Sequence, residues 1–249
     1  MTERSVFVKL FAVTSHPALW RRATAEFLGT GLLVAIVAGS GIAAQQLSPH
    51  DVGLELMENS IATALGLAVL ILMLGPISGA HFNPVVTLSD ALLGGRSWRE
   101  TLVYLAAQIT GGIGGAGLAN AMFGTGYALS TKHRSTAGHL IGEVVATAIL
   151  ILLIFLLART GQTAAAPAAI GAYIGAAYWF TSSTSFANPA VTLGRMFTDT
   201  FAGIAPASAP GFLVAQLVGA AAGLGLLVIL VPAPRLRAAD AIVPERTLS

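Results

Sequence analysis

An all-α integral membrane protein is the fold class this sequence predicts: six spanning helices plus two re-entrant half-helices, arranged as inverted three-span repeats. Three observations carry that expectation. The 249-residue chain is 55% hydrophobic and only 10% charged, whereas soluble domains carry about 25% charged residues, so these residues do not cover a water-facing surface. Several apolar runs reach the roughly 20 residues needed to cross a bilayer. Finally, "SGAHFNPVVTLSD" at 78–90 is echoed by "SFANPAVTLGR" at 185–195, which places Asn-Pro twice in one frame, 105 residues apart (188 − 83).

In chain order the spans read as 24–46, 57–77, 100–122, 138–159, 165–181 and 209–231. The first follows a fairly polar stretch with no small-residue cleavage site, so it reads as a retained helix rather than a signal peptide. Arg4, Lys9, Arg21, Arg22, Arg96, Arg99, Arg159, Arg235, Arg237 and Arg246 fall on one side of this layout, leaving Lys132, Arg134 and Arg195 of the thirteen basic residues opposite. The positive-inside bias therefore places both termini in the cytoplasm. Trp20 and Trp98 sit near the proposed interfaces, where amphipathic rings anchor.

Two segments, 83–93 and 188–198, are too short to span: eleven residues of helix rise about 16 Å, half the hydrocarbon core. Each opens with Asn at the N-cap and Pro at the first helical position, where its missing N–H costs nothing. They follow the second and fifth spans from opposite faces, so both enter the membrane and return. Such backbone is tolerated only where it is buried in protein or lines a water-filled cavity. The halves repeat elsewhere. "AEFLGT" and "GEVVAT" align Glu26 with Glu143, and "AAQITGGIGGA" and "VAQLVGAAAG" align Gln108 with Gln216. Three spans per repeat invert the second copy, which places the shared site at the midplane. The domain expectation is one channel unit over 1–249, with repeats at 24–122 and 138–231 and short cytoplasmic tails at 1–23 and 232–249. Two half-helices meeting N-terminus to N-terminus each present about half a positive charge. They would repel cations, while the Asn83 and Asn188 amides donate to a passing solute oxygen.

These features together resemble the aquaporin (major intrinsic protein) family, over nearly the whole chain. The resemblance implies the aquaporin fold, one pore per subunit and a homotetramer. Its pore motifs fall on Asn83, Pro84 and Val85, and on Asn188, Pro189 and Ala190. It also implies an outer constriction set by four positions, which here read Thr63, Ala176, Ser185 and Val191. Family members keep an Arg where this chain has Val191, and aromatic or His residues among the other three; none of these stands here. The expectation is a wide, weakly polar filter, closest to that of the arsenic-associated bacterial aquaglyceroporins. Solutes would be glycerol-like polyols, uncharged metalloid acids such as arsenite, and water. The rival readings are a water-selective aquaporin and a coupled secondary transporter.

Individual residues carry two readings each. Arg195, one turn beyond Val191, is either a vestibule cation or a solvated helix-end residue, the second slightly favoured. Glu26 and Glu143 are ionisable groups within spans, where function is the default; their symmetric placement instead favours accepting hydrogen bonds from the re-entrant loops. His81 either lines the pore or packs in its loop. Gln108 and Gln216 read as ties between helices and loops, while His133 and His139 receive no role. The glycines at 111, 112, 114, 115, 117, 219, 223 and 225 fit close helix crossings, not a phosphate cradle. Zero cysteines exclude disulfides and thiolate chemistry. No catalytic set, metal site or cofactor is expected, and a net charge of +2 is too weak to suggest nucleic acid. The expected partners are small neutral solutes, water, the lipid bilayer and three further copies, in a bacterial inner membrane.

Overall fold

The structure is a computed structural model that describes residues 17–231. The tails, with Arg4, Lys9, Arg235, Arg237 and Arg246, lie outside the described residues, apart from 17–23 and the start of α1. Among the described residues eight α-helices follow in order: α1 (Leu19–Leu47), α2 (Val52–Ser78), α3 (Pro84–Leu92), α4 (Trp98–Phe123), α5 (Ala137–Arg159), α6 (Ala166–Phe180), α7 (Pro189–Arg195) and α8 (Ala209–Leu230). Five of them, α1, α2, α4, α5 and α8, are long and apolar enough to cross a membrane. The remaining expected span, the fifth, is α6, which has 15 residues and is preceded by a 3-10 turn over Thr163–Ala165. Pro167 stands in its first turn, where the ring is tolerated because that N–H has no helical partner.

Local chemistry sets the helix ends. Asp51 caps α2 by accepting from Leu54 N, and Gly79, at φ 87°, closes it in the left-handed conformation. Ser97 and Glu100 form a reciprocal capping box at the start of α4. Asn83 accepts from Val85 N, and Asn188 accepts from Ala190 N and Val191 N, each with Pro at the next position. The two short helices have nine and seven residues, shorter than the eleven expected. After Arg195 the chain turns away, and Ile204 N returns to the Arg195 carbonyl.

Packing follows the repeat. α1 pairs with α4, and α5 with α8; each half-helix then crosses into the other half, α7 against α1 and α4, and α3 against α8 as well as α4. Small residues permit these crossings. A Cβ built on Gly115 would lie 2.0 Å from the Gly31 carbonyl oxygen, and one on Gly223 would lie 2.4 Å from that of Ala148. Gly111 and Gly219 make matching approaches to Phe27 and Val144. Gly114 and Gly225 meet nothing within 4 Å, so the expectation of close crossing holds for part of the glycine set only. The outward faces are apolar: Ile61, Leu65, Val69 and Leu72 of α2 are all exposed, as lipid contact requires.

Candidate functional site

The loops leading into α3 and α7 are held in an unusual backbone conformation. Ala80 and Phe82 have φ of 48°, and their repeat mates Ser185 and Ala187 have φ of 49° and 48°. For residues with a Cβ this conformation costs about 1–2 kcal/mol each, so something must hold it. Glu26 does so in the first half. Its Oε1 accepts from Ser78 Oγ (2.6 Å) and His81 N (3.0 Å), and its Oε2 from Phe82 N (2.7 Å) and Gln108 Nε2 (2.8 Å). Glu143 repeats the arrangement with Phe186 N (2.8 Å), Ala187 N (2.8 Å) and Gln216 Nε2 (2.6 Å). Both carboxylates are 0% exposed, face only donors and lie off the cavity wall. With donors on every side and no contact with the lumen, each carboxyl group serves the loop it holds rather than the solute path. Gln108 and Gln216 extend each network to Thr87 and Thr192, whose hydroxyls bond the Asn83 and Asn188 carbonyls.

The two asparagines then join the halves. Asn83 Nδ2 donates to the Ala187 carbonyl at 2.8 Å, and Asn188 Nδ2 donates to the Phe82 carbonyl at 2.8 Å. Each amide group has two hydrogens, so one N–H stitches the half-helix tips together and one remains for the cavity. Both asparagines line that cavity. One wall is apolar and shows the repeat: Leu33 and Val37 of α1 answer Leu150 and Ile154 of α5. The opposing wall is made by loop residues 80–82 and 185–187. The lumen is therefore a polar stripe facing hydrocarbon.

Thr63, Ser185 and Val191 line the cavity as expected, but Ala176 does not. It is exposed on the outer face of α6. The buried stripe of α6 runs Ala166, Ile170, Ile174 and Tyr178, a four-residue spacing that leaves position 176 about 200° from position 178. The seven residues between α6 and Asn188 are not helical, so the spacing from the Asn-Pro motif does not carry the face of α6 with it. Tyr178 stands in the wall instead, its hydroxyl 3.2 Å from Thr63 Oγ1. Phe186 and Arg195 also line the cavity, an aromatic and a basic side chain that the four expected filter positions do not supply. Arg195 is 2% exposed, which overturns its reading as a solvated helix-end residue.

His81 lines the cavity with both ring nitrogens engaged. Thr87 gives its single hydroxyl hydrogen to the Asn83 carbonyl, so His81 Nδ1, 3.0 Å away, is the donor to Thr87 Oγ1. Its Nε2 faces Arg96 at 3.5 Å. Arg96 in turn binds Asp90 at 3.2 Å and lies 3.8 Å from the Tyr104 ring centroid. At the other end, Arg195 lies 3.5 Å from the Phe186 ring centroid and Arg134 lies 5.4 Å from it. No sequence signal singled out Arg134 or Phe186; their place depends on how residues 124–136 and 196–208 fold over the mouth.

A family model, "Major intrinsic protein", matches residues 13–187. The chain is 49% identical over 210 residues to aquaglyceroporin AqpS of Rhizobium meliloti (strain 1021), covering 84% of this chain and 89% of that protein. The chain belongs to the major intrinsic protein family. The family model ends one residue before Asn188, so the second motif rests on the repeat geometry itself. Within the family, a glycerol uptake facilitator protein of Streptococcus pneumoniae (strain ATCC BAA-255 / R6) is 33% identical over 191 residues, covering 68% of this chain and 79% of that protein. The X-ray structure of the aquaglyceroporin from Plasmodium falciparum superposes with a TM-score of 0.65 at 20% identity, covering 86% of this chain and 97% of that one. At that identity it shows the fold alone; the family membership and the five long apolar helices make the chain a multi-pass membrane protein.

Proposed function

We propose that the protein is a passive channel for small uncharged hydroxylated solutes: glycerol-like polyols, uncharged metalloid acids such as arsenite, and water. The observation that carries this reading is the Asn83–Asn188 junction, where two half-helix N-termini and two free amide N–H groups meet inside a lumen with one polar and one apolar wall. A polyol suits such a lumen, with hydroxyls toward the donors and carbonyls and its C–H edge toward Leu33 and Leu150. The membrane is the bacterial inner membrane with both termini cytoplasmic, on the charge distribution described above, and the assembly is a homotetramer, on family likeness.

A second reading, a water-selective channel, draws support from Tyr178, Phe186 and Arg195 on the lining, because they fill part of the mouth expected to be open. Proteoliposome swelling in glycerol, urea and arsenite at neutral pH separates the two. Fast water flux without solute entry would end the polyol reading. Flux that saturates and stops with an uncoupler would point instead to a coupled transporter, against which the donor-enclosed Glu26 and Glu143 already argue.

A further inference from the structure

The segments "VVTLSD" (85–90) and "AVTLGR" (190–195) are repeat equivalents, and both Val86 and Val191 line the cavity. Asp90 and Arg195 therefore occupy matching places, one at each end of the lumen, with opposite charge. Asp90 is neutralised by Arg96 at 3.2 Å. Arg195 has no carboxylate within ion-pair distance among the described residues. Its Nε donates to the Ala202 carbonyl, its planar face rests on Phe186, and it stands at the C-terminal end of α7, where the helix dipole favours a cation. Its two terminal amino groups take no hydrogen-bond partner among the described residues, and the side chain lines the cavity.

Two further cations gather around the same mouth. Arg134 holds the Gly203 and Phe201 carbonyls at 2.9 and 3.0 Å, and Lys132 lies over the Phe201 ring. The nearby Asp199 is occupied by the Thr131 N–H and hydroxyl. Lys132, Arg134 and Arg195 are the three basic residues assigned to the outer side, and loops distant in sequence bring them together.

Building on the channel reading above, we propose that Arg195 is the residue that excludes cations from this pore, one helical turn outward of Val191, with Arg134 reinforcing it. A fixed unit charge several ångströms from the path, in an effective dielectric of about 20, changes the entry of a monovalent cation on the order of tenfold or more. It leaves a neutral solute unrepelled and offers its free N–H groups to a hydroxyl oxygen. The outer opening thus combines a small aliphatic wall at Val191 with a cation standing behind it.

The test is the ratio of methylammonium to glycerol permeability in proteoliposomes of the full chain. Arg195→Gln should raise that ratio at least about tenfold, and Arg195→Lys should keep it near the native value. A variant that loses only the clamp on Ala202 would not sort the two by charge. Val191→Glu keeps Arg195 but sets a carboxylate one turn before it on the same face, a favourable i,i+4 ion pair, and should also raise the ratio. If Arg195→Gln does not assemble, Val191→Glu decides. A native ratio in Val191→Glu, or in an Arg195→Gln that conducts glycerol, overturns the proposal, as does a native chain that already passes methylammonium freely. In each of these cases glycerol flux still stands, and so does the channel reading. A native chain that passes no neutral solute takes down both.

Discussion

Tyr178 Oη lies 3.2 Å from Thr63 Oγ1, a contact that joins α6 to α2 in the cavity wall. The phenol ring lines the cavity while Ala176 does not, so the expected control of solute size sits at position 178 rather than 176. Replacing Tyr178 by Ala should admit four- and five-carbon polyols several-fold faster. Ala176→Leu, on the exposed face, should leave every solute rate at its native value. Stopped-flow swelling across a polyol series checks both variants, and a size cut-off that moves with Ala176→Leu would restore the original register.

Glu143 is expected to matter for stability rather than for coupling. In Glu143→Gln an NH₂ group replaces one of the oxygens facing the Phe186 and Ala187 N–H groups and Gln216. Each buried donor left without its acceptor costs about 1–3 kcal/mol, so a loss on the order of 2–5 kcal/mol is expected. Thermal unfolding in detergent measures it. Flux through native protein that does not respond to a proton gradient completes the case, while a Glu143→Gln as stable as the native chain, or native flux driven by a proton gradient, would contradict it.

The asparagine stitch predicts an asymmetric cost. Asn188→Leu removes an N-cap worth about 1 kcal/mol and leaves the buried Phe82 carbonyl without its donor, a further 1–3 kcal/mol or so. It also removes the lumen-facing N–H. Glycerol flux per folded channel should therefore fall along with the melting temperature. Unchanged flux per folded channel would show that the amide does not touch the solute.

Gly115 tests the helix crossing. An added Cβ would sit 2.0 Å from the Gly31 carbonyl oxygen, so Gly115→Ala must push α1 and α4 apart. Overpacking of this kind costs about 1–3 kcal/mol. Gly114→Ala, next to it but with open space around its Cβ position, should be neutral by the same unfolding assay.

Much of this protein is legible without coordinates. Hydrophobic run length places the spans, because the bilayer core has a fixed thickness. The paired Asn-Pro motifs and their spacing locate both half-helices, because capping and proline act on neighbouring residues and need no tertiary context. The matching segments of the two repeats pair Glu26 with Glu143 and Gln108 with Gln216, and the structure gives each pair the same hydrogen-bonded surroundings. The ends were less well defined: α2 begins five residues before the expected span because Asp51 caps it there, just outside the apolar run.

What tertiary structure alone decided is the lining of the mouth. Which face of α6 meets the cavity depends on how seven non-helical residues connect Phe180 to Asn188, and a two-residue shift on a helix exchanges lumen for lipid. Whether Arg195 points into water or into the pore depends on residues 196–208 folding back so that Ala202 can accept its Nε hydrogen. Local rules fix helices, caps and repeats because they act within a few residues. The chemistry at the opening is set by contacts between segments far apart in the chain, and only their packing brings Phe186, Arg134 and Arg195 to one place.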